Sequence, residues 1–157
     1  MATIKCKRTP GQFGGAVPYG NNTVLAFTLA TNATGAVIDS NSTAAVASGD
    51  VIELGSLPEG FRLDDAQVIV TTAMTEAVTG SLGFKYVDGV DSADVPQDAA
   101  YFISGGALNA AGRLRATGTK LVTLPKPAVL TLTTGGAANA KASDIKVLVS
   151  GELLGPR

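Results

Sequence analysis

The residues able to do chemistry in this 157-residue chain are few, and histidine is absent. Without it there is no Ser-His-Asp triad, no imidazole base and no imidazole metal ligand. Asp88, Asp91, Asp94 and Asp98 fall in one short stretch, oxygen ligands at a spacing that Ca²⁺ could use. They do not follow an EF-hand, because the required Gly and bidentate Glu positions are missing, and a solvated acidic loop is the plainer reading. Asp64 and Asp65 are adjacent. Neighbours on a regular strand point to opposite faces, so this pair is not expected to work as acid and base. Cys6, the single cysteine, sits between Lys5 and Lys7, whose charges favour a thiolate. With no histidine and no ordered neighbourhood expected around it, nucleophilic catalysis is not expected. No G-x-x-x-x-G-K-[ST] loop occurs, so Gly105-Gly106 and Gly135-Gly136 read as turns. The triplets starting at Asn21, Asn32 and Asn41 match a glycosylation acceptor but read as turn residues. The expectation is a chain with no catalytic, cofactor-binding or metal-ligating residues, and no cofactor.

The elements around these residues read as strands. The stretch from Gly49 to Thr71 predicts a hairpin: Val51, Ile52 and Leu54, a Leu57-Pro58-Glu59-Gly60 turn, then Ala66, Val68 and Val70 on one face. Pro58 sets a negative φ and Gly60 supplies a position for a positive one. Leu25, Phe27 and Leu29 alternate, as do Leu82, Phe84 and Tyr86. Leu130 and Leu132 alternate with Val129, Thr131 and Thr133. That threonine face fits either a solvated sheet or a flat binding surface. Ile145, Val147, Val149, Gly151 and Leu153 form the inner set of a final strand. Gly35 to Asp39 reads as a short strand and Ser40 to Ser48 as a loop. Pro96 to Ile103 reads as one or two helical turns, with Pro96 at the first helical position.

Turn signals recur at the spacing of a sandwich or barrel. The expected fold is all-β: an antiparallel β-sandwich of jelly-roll type with about eight strands, over residues 23–157. Residues 1–22 read as an extended N-terminal arm. Lys5, Lys7 and Arg8 are basic, Thr9 to Gly15 breaks regular structure, and Phe13 and Tyr19 are apolar anchors. A frayed terminus is the alternative for this stretch.

Bulk composition narrows the function further. The net charge is −1, against the strong positive field that a nucleic-acid binder needs. No run approaches the length of a membrane span, and the basic N-terminus lacks the apolar core of a secretory signal. No nucleic acid and no membrane are expected as partners. Only 16% of residues are charged, well under the usual quarter. A chain so poor in charge often hides surface in an assembly.

G-D-V-I-E-L-G-S-L-P-E-G-F-R, from Gly49 to Arg62, resembles a pattern frequent in small structural proteins of tailed-bacteriophage heads. The order of later features is similar too: a Phe-containing turn near Ala99 to Ile103, Ala110-Ala111-Gly112-Arg113, Leu130 to Thr133, Gly135-Gly136-Ala137, and the "I.V.V" strand at Ile145 to Val149. The resemblance covers roughly residues 49 to 154. It implies a capsid decoration, or cement, protein with a jelly-roll fold. Such a protein is made in the host cytoplasm and sits on the outer capsid surface. There it binds the major capsid protein and bridges neighbouring subunits as a homo-oligomer, dimer or trimer. Candidate capsid contacts are Lys5, Lys7, Arg8, Phe13 and Tyr19. A phage fibre or adhesive module binding host glycans is the alternative. It would want exposed aromatics, and the chain has no Trp and three Tyr.

Overall fold

The alternating runs become the inner faces of two five-stranded sheets. The computed structural model describes residues 1–7 and 22–154. The first sheet holds β1 (Thr3–Lys5), β3 (Val51–Leu57), β5 (Thr79–Tyr86), β6 (Asp98–Ala107) and β9 (Ala128–Gly135), in the order β1-β3-β9-β5-β6. The second runs β2-β10-β4-β7, from β2 (Asn22–Thr31), β10 (Ser143–Leu153), β4 (Phe61–Thr72) and β7 (Gly112–Arg115), with β8 (Val122–Thr123) also on β4. Pairing is antiparallel throughout except for β1 on β3. No helix occurs among the described residues. Ten strands are found among the described residues against about eight expected; β6 lies where helical turns were expected, and β1 lies in the segment read as an arm.

The inner faces were legible from alternation. Leu25, Phe27 and Leu29, then Leu82, Phe84 and Tyr86, then Ile145, Val147 and Val149 are all buried in a core shared by both sheets. Period-two alternation of apolar residues is what puts one face of each strand into such a core.

Several local expectations fail. The Gly49 to Thr71 stretch is not a hairpin. β3 pairs with β1 and β9, while β4 pairs with β10, β7 and β8, so the two runs lie in different sheets. Leu57-Pro58-Glu59-Gly60 is a crossing between sheets. Gly60 does take the positive φ expected of it, +75°. Its N–H donates to the Leu124 carbonyl (2.8 Å), and its own carbonyl accepts from the Leu154 N–H (2.8 Å). Those bonds to distant segments replace the ladder that a hairpin would have made.

The Pro96 to Ile103 segment is not helical either. It enters β6, which is bulged. Two steps along β5, from Leu82 to Phe84, are answered by five along β6, from Ile103 back to Asp98. The slack lets Tyr101 and Phe102 pack edge to face (4.8 Å between ring centroids), with Tyr101 also against Phe84 (5.5 Å). Gly83 lies under this bulge. A Cβ there would fall 2.0 Å from the Asp98 carbonyl oxygen, so the close approach requires glycine.

Gly35 to Asp39 makes only isolated bridges, Ala36 with Ala45 and Val37 with Thr31, in place of the short strand expected. The first residues of the segment read as an arm are part of the first sheet: Thr3–Lys5 runs beside Val51 to Glu53, with Ile4 buried. Arg8 to Asn21 lies outside the described residues. Because β1 precedes it and β2 follows, that segment is joined to the sandwich at both ends.

Candidate functional site

Of the five candidate contact residues, the structure places two. Lys5 is on edge strand β1, and its ammonium lies 3.3 Å from the Glu53 carboxylate. Glu53 also takes Lys85 at 2.7 Å. Burial alone would push the Glu53 carboxyl up, but the two lysines outweigh it and hold the group below its ordinary value. Lys5 is therefore already partnered within the chain. Lys7 follows with an exposed side chain, its N–H donating to the Asp39 carbonyl (2.7 Å). Arg8, Phe13 and Tyr19 lie outside the described residues.

Cys6 does not have the activated thiol that its lysine neighbours suggest. It is half-buried beside Ser40, and burial pushes the thiol up, away from thiolate character.

The Asp64–Asp65 pair corrects a second expectation. The ladder between β4 and β10 slips between Leu63 and Asp65, which face Gly151 and Ser150. Leu63 and Ala66 are both buried across this bulge, so the two aspartates between them share the outer face. Each is occupied by an arginine. Arg62 reaches Asp64 at 2.6 Å and also takes Glu152 at 2.8 Å, and Arg115 reaches Asp65 at 3.4 Å. The outer face of β4 thus carries a row of ion pairs.

The acidic loop between β5 and β6 spends its carboxylates separately. Asp88 takes Lys126 at 2.7 Å, and that hydrogen bond holds its carboxyl below the ordinary value. Asp91 accepts the N–H groups of Ser92 and Gln97, and Asp98 that of Ala100. No three acidic side chains converge on a cation site among the described residues. Lys126 also bonds the Val90 carbonyl and lies 4.6 Å from the Tyr86 ring centroid, stitching the loop to the segment before β9.

At this end of the sandwich the sequence reading missed a surface. Val87 and Val90, in the loop that Lys126 holds, and Leu121, just before β8, are each more than three-fifths exposed. Leu121 lines a cleft with Val95, Val122, Leu124 and Pro125, and a neighbouring one runs past Tyr101, whose hydroxyl donates to the Lys120 carbonyl (2.7 Å). The missed signal is weak in sequence: single apolar residues between turns look like any loop. The threonine face of β9 is in turn no open platform, because Thr131 is buried.

A second buried cluster is structural. Asn139, 1% exposed, accepts from the Thr75 N–H (3.1 Å) and donates to the Thr31 hydroxyl (3.0 Å) and the Lys141 carbonyl (2.9 Å). Thr31 in turn meets the Ser143 hydroxyl at 2.8 Å. The amide ties the ends of β2 and β10 to two loops.

No protein-family model matches the sequence, and no curated protein matches it. Solved structures do. A chain from the capsid of Ralstonia phage GP4 superposes with a TM-score of 0.64 at 18% identity, over 96% of this chain and 97% of that one. A chain from the cyanophage Pam1 capsid asymmetric unit gives 0.57 at 15% identity, over 94% and 98%. A chain from the acid-stable capsid of Helicobacter pylori bacteriophage KHP30 gives 0.50 at 12% identity, over 83% and 90%. At these identities the likeness is one of fold, and it runs nearly end to end in the first two: the chain has the fold of chains found in phage capsids.

Proposed function

We propose that this chain is a structural protein of a phage virion, with a sandwich of jelly-roll type, that sits on the outer capsid surface and clamps neighbouring major capsid subunits together. The observation that carries the reading is the nearly end-to-end match of this chain to a chain of a phage capsid. A clamp performs no chemistry, in keeping with a chain without histidine whose clustered aspartates are taken up by arginines, Lys126 and backbone N–H groups. A homo-oligomer would let several modest contacts act at once, since effective concentration multiplies weak holding.

Lys7, Arg8, Phe13 and Tyr19 remain the proposed contacts, and the exposed apolar tips Val87, Val90 and Leu121 join them. Lys5 is a poorer candidate because Glu53 already holds it.

Purified virions from a host expressing the chain test this directly. Near-stoichiometric copies per shell are expected, and Lys7→Glu with Leu121→Asp should lower occupancy without changing the chain's own melting temperature. Recovery of a handful of copies per particle would instead favour a fibre or tail component.

A further inference from the structure

Edge strands present unpaired N–H and C=O groups, and proteins usually blunt them. Of the four strands that end the two sheet paths, three are blunted. β1 has three residues, β7 is short and carries Arg113 and Arg115, and β6 is bulged twice. β2 is not. It is ten residues long, has no charge and no proline, and pairs with β10 from Thr31 to Asn22 without a register shift.

The side of β2 away from β10 can be assigned. At its C-terminal end the Ala30 carbonyl accepts from the Ile38 N–H (2.8 Å), and the Asn32 N–H, just past the strand, donates to the Ala36 carbonyl (2.9 Å). Backbone groups repeat every second residue along a strand. The N–H and C=O groups of Val24, Ala26 and Thr28 therefore face that same side. Among the described residues nothing pairs with them. Their side chains are exposed on the outer face.

Two features of this edge complement each other. Val24 is 58% exposed, the one large apolar side chain in the row that Ala26 and Thr28 continue. Farther along the same strand, a cleft of about 110 Å³ is lined by Cys6, Thr28, Ala30, Ile38 and Asp39. Within one copy the valine and the cleft lie at opposite ends of a straight strand and do not meet. A two-fold axis at Ala26 brings them together. In that antiparallel register Val24 of each copy faces Thr28 of the other, at the cleft's mouth, and Ala26 faces Ala26. The three opposed pairs each exchange two hydrogen bonds, and no like charges meet across the seam. The next pair outward, Asn22 with Ala30, falls where Ile38 already holds the Ala30 carbonyl, so the seam ends there. Moving the axis by one residue sets Val24 against Ala26, or against the already bonded Ala30.

We propose that a second copy of this chain pairs on the β2 edge about a two-fold axis at Ala26, with Val24 of each copy seated in the cleft beside Thr28 of the other. The same patch serves both copies, as an isologous contact requires, and the second sheets of the two copies become one continuous sheet. This seam gives the homo-oligomer of the proposed function its interface. It rests on that reading only for what the dimer is used for, since the strand edge itself carries the pairing.

Sedimentation of the intact chain over a rising concentration series tests it, together with residue-resolved hydrogen exchange. A monomer–dimer equilibrium is expected, with the Val24, Ala26 and Thr28 amides slowing as the dimer fills. Ala26→Lys places two lysines face to face on the axis and should abolish the dimer. Because Ala26 is exposed, the variant's melting temperature as a monomer should not change. Mixing Ala26→Lys with Ala26→Glu should restore a heterodimer, and Thr71→Lys, on the exposed end of β4, should leave the dimer intact. A chain that stays monomeric throughout the series would overturn the proposal. So would a dimer that survives Ala26→Lys, which would place the contact elsewhere, or full protection of the three amides in the monomer, which would give the edge to the same chain. Virion binding is not read in any arm, so the capsid reading stands or falls separately.

Discussion

Asn139 is the single residue whose loss should cost most for its size. Its amide satisfies a backbone N–H, a hydroxyl and a carbonyl at once, in a place from which water is excluded. Asn139→Ala strands those partners, and unsatisfied buried groups are expensive. A loss of about 2–3 kcal/mol in denaturant unfolding is expected. Glu53 gives a pH signature. Its folded pKa is depressed, so the stability it contributes is present above the ordinary glutamate value of 4.5 and is lost as pH falls through the lower folded value. Melting temperature measured across that acid range should fall more steeply for the native chain than for Glu53→Gln, and the two should converge at the acid end. Neither effect was readable in the sequence. Asn139 stands in a Gly/Ala-rich turn, and Glu53 is one charge on a strand whose two lysine partners come from β1 and β5. The Asp64–Asp65 pair makes the same point: strict alternation separated the two side chains, and one bulge reunited them on the outer face.

Within elements, the alternation of Leu82, Phe84 and Tyr86 sufficed to find β5 and its buried face, because burial on one side of a sheet imposes period two. Partner strands were another matter. Val51 to Leu57 and Phe61 to Thr72 look like a hairpin because Pro58 and Gly60 make a good turn. Turn chemistry bends the chain without saying whether the next strand pairs or crosses to the opposite sheet. Likewise Pro96 to Ile103 looks helical only because a bulge interrupts its period. Gly83 tests that account of β6. In Gly83→Ala the new methyl meets the Asp98 backbone, which has no side-chain freedom with which to yield. A destabilisation of about 2–3 kcal/mol is expected in urea unfolding, with the Tyr101 fluorescence changing in the native baseline. A neutral result would mean that the bulge is not held against β5.

At the scale of the whole molecule, the two sheets use the chain out of order. Phe27 faces Val147, Val68 faces Val147 from the other side, and Ile52 faces Leu132. β10, latest of the ten strands in chain order, is central in its sheet, between β2 and β4. During synthesis, then, β4 can pair with β7 and β8, but β2 and β4 emerge with no partner between them until residues 143–153 leave the ribosome. Such non-local pairing slows folding and leaves strand edges open in the meantime. Nascent chains stopped before Ser143 should be captured by chaperones and cut readily by protease between Asn22 and Thr72, and adding β10 should abolish both. The middle strand of the second sheet is thus a timer: that sheet joins up only when its last piece is made.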